Sequence, residues 1–161
     1  MTAAPARRST DEQRQLHAVL HEMFERRIPF NQLLGLKVES LDANAPRLGL
    51  QMRPELVGDF SSGRLHGGVI SATLDALGGL ALMLQMAEKH GHETTLQLLQ
   101  RCSRIGTIDL RVDYLRQGLG EHFIASAEVT RLGSRVASTQ MRMHTGEGTL
   151  VATAAASYIV S

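Results

Sequence analysis

His66-Gly67-Gly68-Val69-Ile70-Ser71-Ala72-Thr73-Leu74-Asp75-Ala76-Leu77-Gly78-Gly79-Leu80-Ala81-Leu82-Met83-Leu84 contains one charged residue between Gly67 and Leu84, the carboxylate of Asp75. Its apolar residues are not confined to one stripe, so the segment reads as a helix buried on most sides. A membrane span fits poorly: the run falls short of about 20 residues, it contains glycines, and it carries an acid near its middle.

A carboxylate in such a helix must be paired, hydrated or shifted in its proton affinity, because an unpaired buried charge is costly. The residues three and four positions away share its face, and these are Ser71, Ala72, Gly78 and Gly79. Two readings follow from so small a face. The space beside the carboxylate can take a ligand. Alternatively, Gly78-Gly79 allows another backbone to pack closely, and Asp75 pairs with an arginine elsewhere.

His66-Gly67-Gly68 precedes the apolar run and follows a loop-like stretch, Asp59 to Arg64. If the helix starts at the glycines, their N–H groups are among the unsatisfied donors of its first turn, at the positive end of its dipole. Glycine lets an oxygen approach that backbone unobstructed, which suits a polarised carbonyl. The alternative is an ordinary glycine-rich entry into a helix.

Gly67 and Asp75 are eight residues apart, or about 12 Å along a helix. One carbonyl carbon cannot contact both within one helix. If both act on one substrate, two copies of the chain must supply them, which predicts a dimer with antiparallel central helices and shared sites.

The 161 residues suit one domain, or one domain with a small appendage, and 43% hydrophobic content argues against disorder. With 17 basic and 16 acidic residues the net charge is +1, so no net field favours nucleic acid or an anionic membrane. The one cysteine, Cys102, excludes an intrachain disulfide, and nothing near it in sequence suggests activation. No secretory signal is visible in Met1–Thr10, so a cytoplasmic protein is the expectation.

Met1–Arg8 reads as a frayed tail. Ser9 and Thr10 start an amphipathic helix over about 10–27, through Leu16, Val19, Leu20 and Met23, giving a tail and flanking helix over 1–27. His17 and His21, one turn apart, read as exposed helix histidines, and His90, His92 and Glu93 as a solvated helix end. Residues 36–41 and 47–52 alternate as a hairpin around the turn Asp42–Pro46. Residues 94–104 read as a short extra helix ended by Gly106. Four period-2 runs then follow, from Thr107, Phe123, Ala137 and Leu150, and read as an antiparallel meander. Their alanines face something that must sit close, and the long helix on the concave face of the sheet would fit. The fold class is α+β, with about six antiparallel strands wrapped around a long central helix and 28–161 as a single domain.

This pattern resembles the hotdog-fold acyl-CoA thioesterases of the phenylacetic-acid-degradation and 4-hydroxybenzoyl-CoA thioesterase type. The resemblance lies in His66-Gly67-Gly68 with Asp75 nine residues after the histidine, in Thr107–Arg116, and in the turn Arg131-Leu132-Gly133-Ser134-Arg135. It implies that Asp75 acts as nucleophile or as general base on water, and that the Gly67 N–H polarises the thioester carbonyl. It implies that His66 supports the loop or contacts substrate. Gly68, Ser71, Phe60 and Ser61 become substrate-binding candidates. Arg116, Arg131 and Arg135 become candidates for coenzyme A phosphates. It further implies a homodimer with shared sites that can pair into a tetramer, an acyl-CoA substrate, and neither metal nor bound cofactor. Many members carry Asn or Gln six residues before the histidine, where this chain has Phe60. That departure supports an alternative, a non-catalytic acyl-CoA binding or sensing protein. A dehydratase or hydratase needs His and acid at one site, and the His66–Asp75 spacing suits the thioesterase pattern better.

Overall fold

The computed structural model describes residues 7–161, so the frayed-tail reading of residues 1–6 lies outside the described residues. At its end that reading needs correcting. Arg8 is anchored: its N–H donates to the Gly91 carbonyl (2.6 Å), and its guanidinium donates to the Glu93 carbonyl (2.8 Å) and to the carbonyls of His90 and Ala87. A cation on the unsatisfied carbonyls of a helix end is favourable, and that end belongs to the long helix.

Helix α1, Thr10–Glu22, begins on a capping box in which Ser9 and Glu12 each accept the other's backbone N–H. It buries Leu16 and Leu20 completely. The reading of one plain helix to residue 27 misses its last turn, which widens to a π-helix over Met23–Arg27 closed by the Ile28 N–H on the Met23 carbonyl (3.0 Å). Helix α2, Pro29–Leu34, follows and stops at Gly35, whose φ of 72° suits glycine. Glu25 ties this turn to the sheet. Burial raises its proton affinity, but the Val38 N–H (2.8 Å) and Lys37 Nζ (3.1 Å) outweigh burial and hold the carboxyl below its usual value.

Strands β1 (Lys37–Ser40) and β2 (Arg47–Gln51) form the expected hairpin. A small ribbon of β3 (Val57–Asp59) and β4 (Arg64–Leu65) leads into α3, Gly67–Lys89. The short helix α4 spans Thr95–Cys102. Strands β5 (Gly106–Tyr114), β6 (His122–Leu132), β7 (Val136–Thr145) and β8 (Leu150–Ile159) complete a six-stranded antiparallel sheet in the order β1-β2-β6-β7-β8-β5.

That order corrects the simple meander. β6, β7 and β8 run as consecutive hairpins, but β5 pairs with β8, and the link around Gly118–Gly120 is a crossover rather than a hairpin turn. Three strand spacings of about 4.8 Å need about 14 Å. Seven linking residues reach this easily, since extended chain covers up to about 3.5 Å per residue. The crossover is held at both its ends, with Leu115 N–H on the Val151 carbonyl beside β8 and Met52 N–H, just past β2, on the Glu121 carbonyl.

α3 is long and apolar enough to cross a membrane by composition, but its apolar side chains are taken up by the sheet. Leu74, Leu77, Leu80, Ala81 and Leu82 are fully buried. The alanines of β6 and β8, buried at 125, 127, 152, 154 and 156, carry only a Cβ and let the helix lie close. Each buried leucine contributes about 1.5–3 kcal/mol.

Gly78 and Gly79 do different jobs. A Cβ on Gly78 would stand 2.0 Å from the Tyr158 hydroxyl oxygen and 3.1 Å from the Met141 sulfur, whereas a Cβ on Gly79 meets nothing within 4 Å. Gly78→Ala is therefore expected to lower Tm by about 3–10 °C through overpacking, at about 2–4 °C per kcal/mol. Gly79→Ala is expected to raise Tm by a few degrees, since Gly costs about 1 kcal/mol in a helix interior. A thermal melt of both variants checks the contrast, and equal shifts would contradict it.

Candidate active site

Asp75 is half-buried on α3, and it has found hydroxyls rather than an arginine. Thr107 Oγ1, at the start of β5, donates to Asp75 Oδ1 at 2.8 Å. The Tyr158 hydroxyl, near the end of β8, lies 3.3 Å from the same Oδ1 and 3.3 Å from the Asp75 carbonyl. Register explains the meeting, because Thr107 and Tyr158 are direct cross-strand partners. Burial, and then the Asp75 charge, push the Tyr158 hydroxyl upward, so it stays protonated and donates. Among the described residues, Oδ2 of Asp75 has no hydrogen-bond partner.

The carboxylate opens onto a cavity of about 370 Å³. The π-turn and α2 supply Phe24, Ile28 and Phe30, and the far side brings Cys102 and Ile105. The segment between α3 and β5, read as a short extra helix, thus forms one wall. Burial pushes the Cys102 thiol up to about 12, so it is inert.

The amino end of α3 is built separately. His66 is its N-cap, with Nδ1 accepting the Gly68 N–H at 2.8 Å, which leaves the neutral ring's proton on Nε2. A Cβ on Gly68 would come within 2.9 Å of that nitrogen, so the second glycine makes room for the cap. The His66 carbonyl takes the N–H groups of Val69 (3.0 Å) and Ile70 (3.2 Å). Of the first-turn donors, Gly67 N–H remains without a partner among the described residues. Its carbonyl accepts the Tyr114 hydroxyl at 3.0 Å, pinning the turn to the far end of β5. A groove of about 390 Å³ beside Gly67 is lined by Arg64, Tyr114 and Arg116.

The predicted site residues therefore divide. Asp75 sits at one end of β5, and Gly67, Gly68 and His66 sit with Arg116 at the other. Arg131 and Arg135 flank the β6–β7 turn at the Asp75 end, where Val136, Ile159 and Gly106 lie in one cross-strand row. Ser71 turns its hydroxyl back on the Gly68 carbonyl (3.1 Å) and does not line the Asp75 cavity. Phe60 is 97% exposed at the tip between β3 and β4. Asp59 organises that tip, its carboxylate accepting the hydroxyls of Ser61 and Ser62 (both 2.8 Å), which hold it below its usual proton affinity. Sequence reading missed Thr107, Tyr158 and Tyr114 as site residues. Thr107 is 32 positions and Tyr158 is 83 positions from Asp75, beyond any helical or strand period.

Known proteins resemble this chain in sequence and in fold. Residues 62–152 match the model of the family described as the thioesterase superfamily. The medium/long-chain acyl-CoA thioesterase YigI of Escherichia coli K12 is 40% identical over 139 residues, covering 86% of this chain and 90% of that protein. A Shewanella oneidensis crystal structure related to the thioesterase superfamily superposes with a TM-score of 0.88 at 36% identity, over 96% of this chain and all of that one. A variant of the phenylacetic acid degradation protein PaaI from Thermus thermophilus shares the fold, with a TM-score of 0.65 at 24% identity, over 83% of this chain and all of that one. The sheet wrapped on a central helix is the hotdog fold, and the chain belongs to the thioesterase superfamily.

Proposed function

We propose that this protein hydrolyses acyl-CoA thioesters of medium to long chain length, the class named for its Escherichia coli relative. The observation that carries the reading is Asp75, held through one oxygen by two hydroxyls at the mouth of an apolar cavity. Two donors on Oδ1 fix the orientation of the carboxylate. Oδ2 is then the oxygen free to take a proton from water or to attack the carbonyl carbon directly. Either route releases the free acid and the coenzyme A thiol.

The carbonyl needs a donor that Asp75's own chain cannot bring, because Gly67 lies about 12 Å along the same helix. The edge strand supplies the solution. β5 has one free edge and exposes Ile108 (58%) and Tyr114 (54%), a long unpaired edge that favours pairing with another chain. Thr107 at one end of β5 holds Asp75, and Tyr114 at the other holds Gly67. Antiparallel pairing of two β5 edges sets unlike ends together and brings the partner subunit's Gly67 toward Asp75. The partner's Arg116 would then accompany it as a coenzyme A contact, with Arg135 on the Asp75 side. A dimer of dimers is compatible with this pairing. The single free cysteine suits a reducing compartment, and the cytoplasm is the proposed location.

Phe60, in the position where the resemblance has an amide, favours a second reading as an acyl-CoA binding or sensing protein. Thiol release from a panel of acyl-CoAs separates the two. Turnover is expected, and Asp75→Asn should cut kcat by about 10²–10⁴-fold while its melt and mass stay those of the parent. Full activity in that variant would sink the mechanism, and acyl-CoA stabilisation without any thiol release would favour the binding reading. Thr107→Val should lower kcat by roughly tenfold or more with little change in KM, since it removes one charge-assisted hydrogen bond of about 1.5–3 kcal/mol. Sedimentation equilibrium should give at least twice the 17.6 kDa chain mass. A monomer that turns over substrate would rule out shared sites.

A further inference from the structure

We propose that the Asp75 cavity is an acyl channel running along α3 from Asp75 to Met83, with Gly79 as its gauge, so that these positions set the chain length accepted. This rests on the thioesterase reading and names its substrate range. Asp75, Gly79 and Met83 are spaced by four residues, so they fall on one face of the helix, and Ala76 borders them. From the carboxylate to Gly79 is about 6 Å and to Met83 about 12 Å at 1.5 Å per residue. An extended acyl chain advances about 1.3 Å per bond on a zigzag of ~1.5 Å bonds. Gly79 therefore stands beside roughly the fifth carbon and Met83 beside roughly the tenth.

Among the described residues nothing fills the space at Gly79, although its neighbour Gly78 is in close contact with Tyr158. The open volume lies one helical turn from the carboxylate and continues the same cavity. Phe24 and Ile28 form one wall, and Cys102 and Ile105 face them. Asn31 Nδ2 donates to the Phe24 carbonyl (3.1 Å), and Thr107 and Tyr158 hold Oδ1 of Asp75, which leaves Oδ2 as the oxygen open to the substrate. A cavity with its polar groups at the mouth and apolar side chains beyond suits an alkyl chain. A coenzyme A phosphate would need cations, and none of the lining residues is one. The first of these walls comes from residues 24–30, outside the part matched by the family model, so the chain's own N-terminal segment shapes the fit.

The test is kcat/KM for butanoyl-, hexanoyl-, octanoyl-, decanoyl-, dodecanoyl- and hexadecanoyl-CoA with the full chain. The parent protein should gain up to about fourfold per added methylene, as hydrophobic transfer predicts, until about ten carbons and then level off. Gly79→Leu places a side chain in the open volume and should end the rise at four to six carbons. The ratio of decanoyl- to butanoyl-CoA kcat/KM should fall at least 50-fold. Met83→Trp closes the deep end and should move the plateau toward eight carbons, which keeps the inference testable if Gly79→Leu does not fold. A parental chain-length profile in both variants would overturn the channel. No turnover of any acyl-CoA by the parent would instead overturn the thioesterase reading. The channel is then decided by the extra thermal stabilisation from decanoyl- over butanoyl-CoA. Its presence in the parent and loss in Gly79→Leu upholds the channel, and equal stabilisation in both overturns it.

Discussion

A carboxylate on a helix enclosed by a sheet cannot be left to bulk water alone, and the Thr107–Asp75–Tyr158 contact is how this fold accommodates it. The contact spans three elements, with the acid on α3 and the donors on adjacent strands β5 and β8. It requires the register that sets Thr107 opposite Tyr158, and that register exists only because β5 crosses the sheet to pair with β8. It also requires Gly78, since any side chain there would displace the Tyr158 hydroxyl. Sheet order, glycine placement and carboxylate orientation are thus one constraint seen from three sides.

The helix that carries the acid divides its labour along its length. In its first turn His66 occupies the Gly68 N–H, while that of Gly67 has no partner among the described residues. Its third turn carries the acid and its fourth the open position at Gly79. Because β5 is pinned to α3 at both ends, through Tyr114 at the start of the helix and Thr107 at Asp75, the edge strand fixes the separation of Gly67 from Asp75. The edge pairing proposed above would complete the site and cover the exposed edge that carries Ile108 and Tyr114.

Much of the architecture was legible as pattern. The capped start of α1, the hairpin at 37–51, the buried helix from Gly67 and the four long strands all announce themselves by period and by turn residues. The strand connection was not legible in the same way. Gly118-Leu119-Gly120 has the composition of a hairpin turn, and local chemistry does not distinguish a turn that returns to its neighbour from a link that passes two strand ends. The π-turn at Met23–Arg27 escaped for a related reason. Met23, Glu25, Arg26 and Arg27 are good helix formers, and the contacts that accompany the widening, Glu25 on β1 and Asn31 on the Phe24 carbonyl, come from outside the turn.

By itself, the sequence determined that one acid would sit in an apolar helix, that glycines would flank it at helical spacing, and that Gly67 and Asp75 lie too far apart for one carbonyl. These follow from composition and from the fixed rise of a helix, which act over a few residues. Only the tertiary structure decided which donors Asp75 receives, that Gly78 packs while Gly79 stays open, and that Arg116 and Arg135 fall at opposite ends of the sheet. Those outcomes depend on which distant strands become neighbours. Nothing in a local pattern encodes a partner 83 residues away, whereas sheet order and register place it within hydrogen-bond reach.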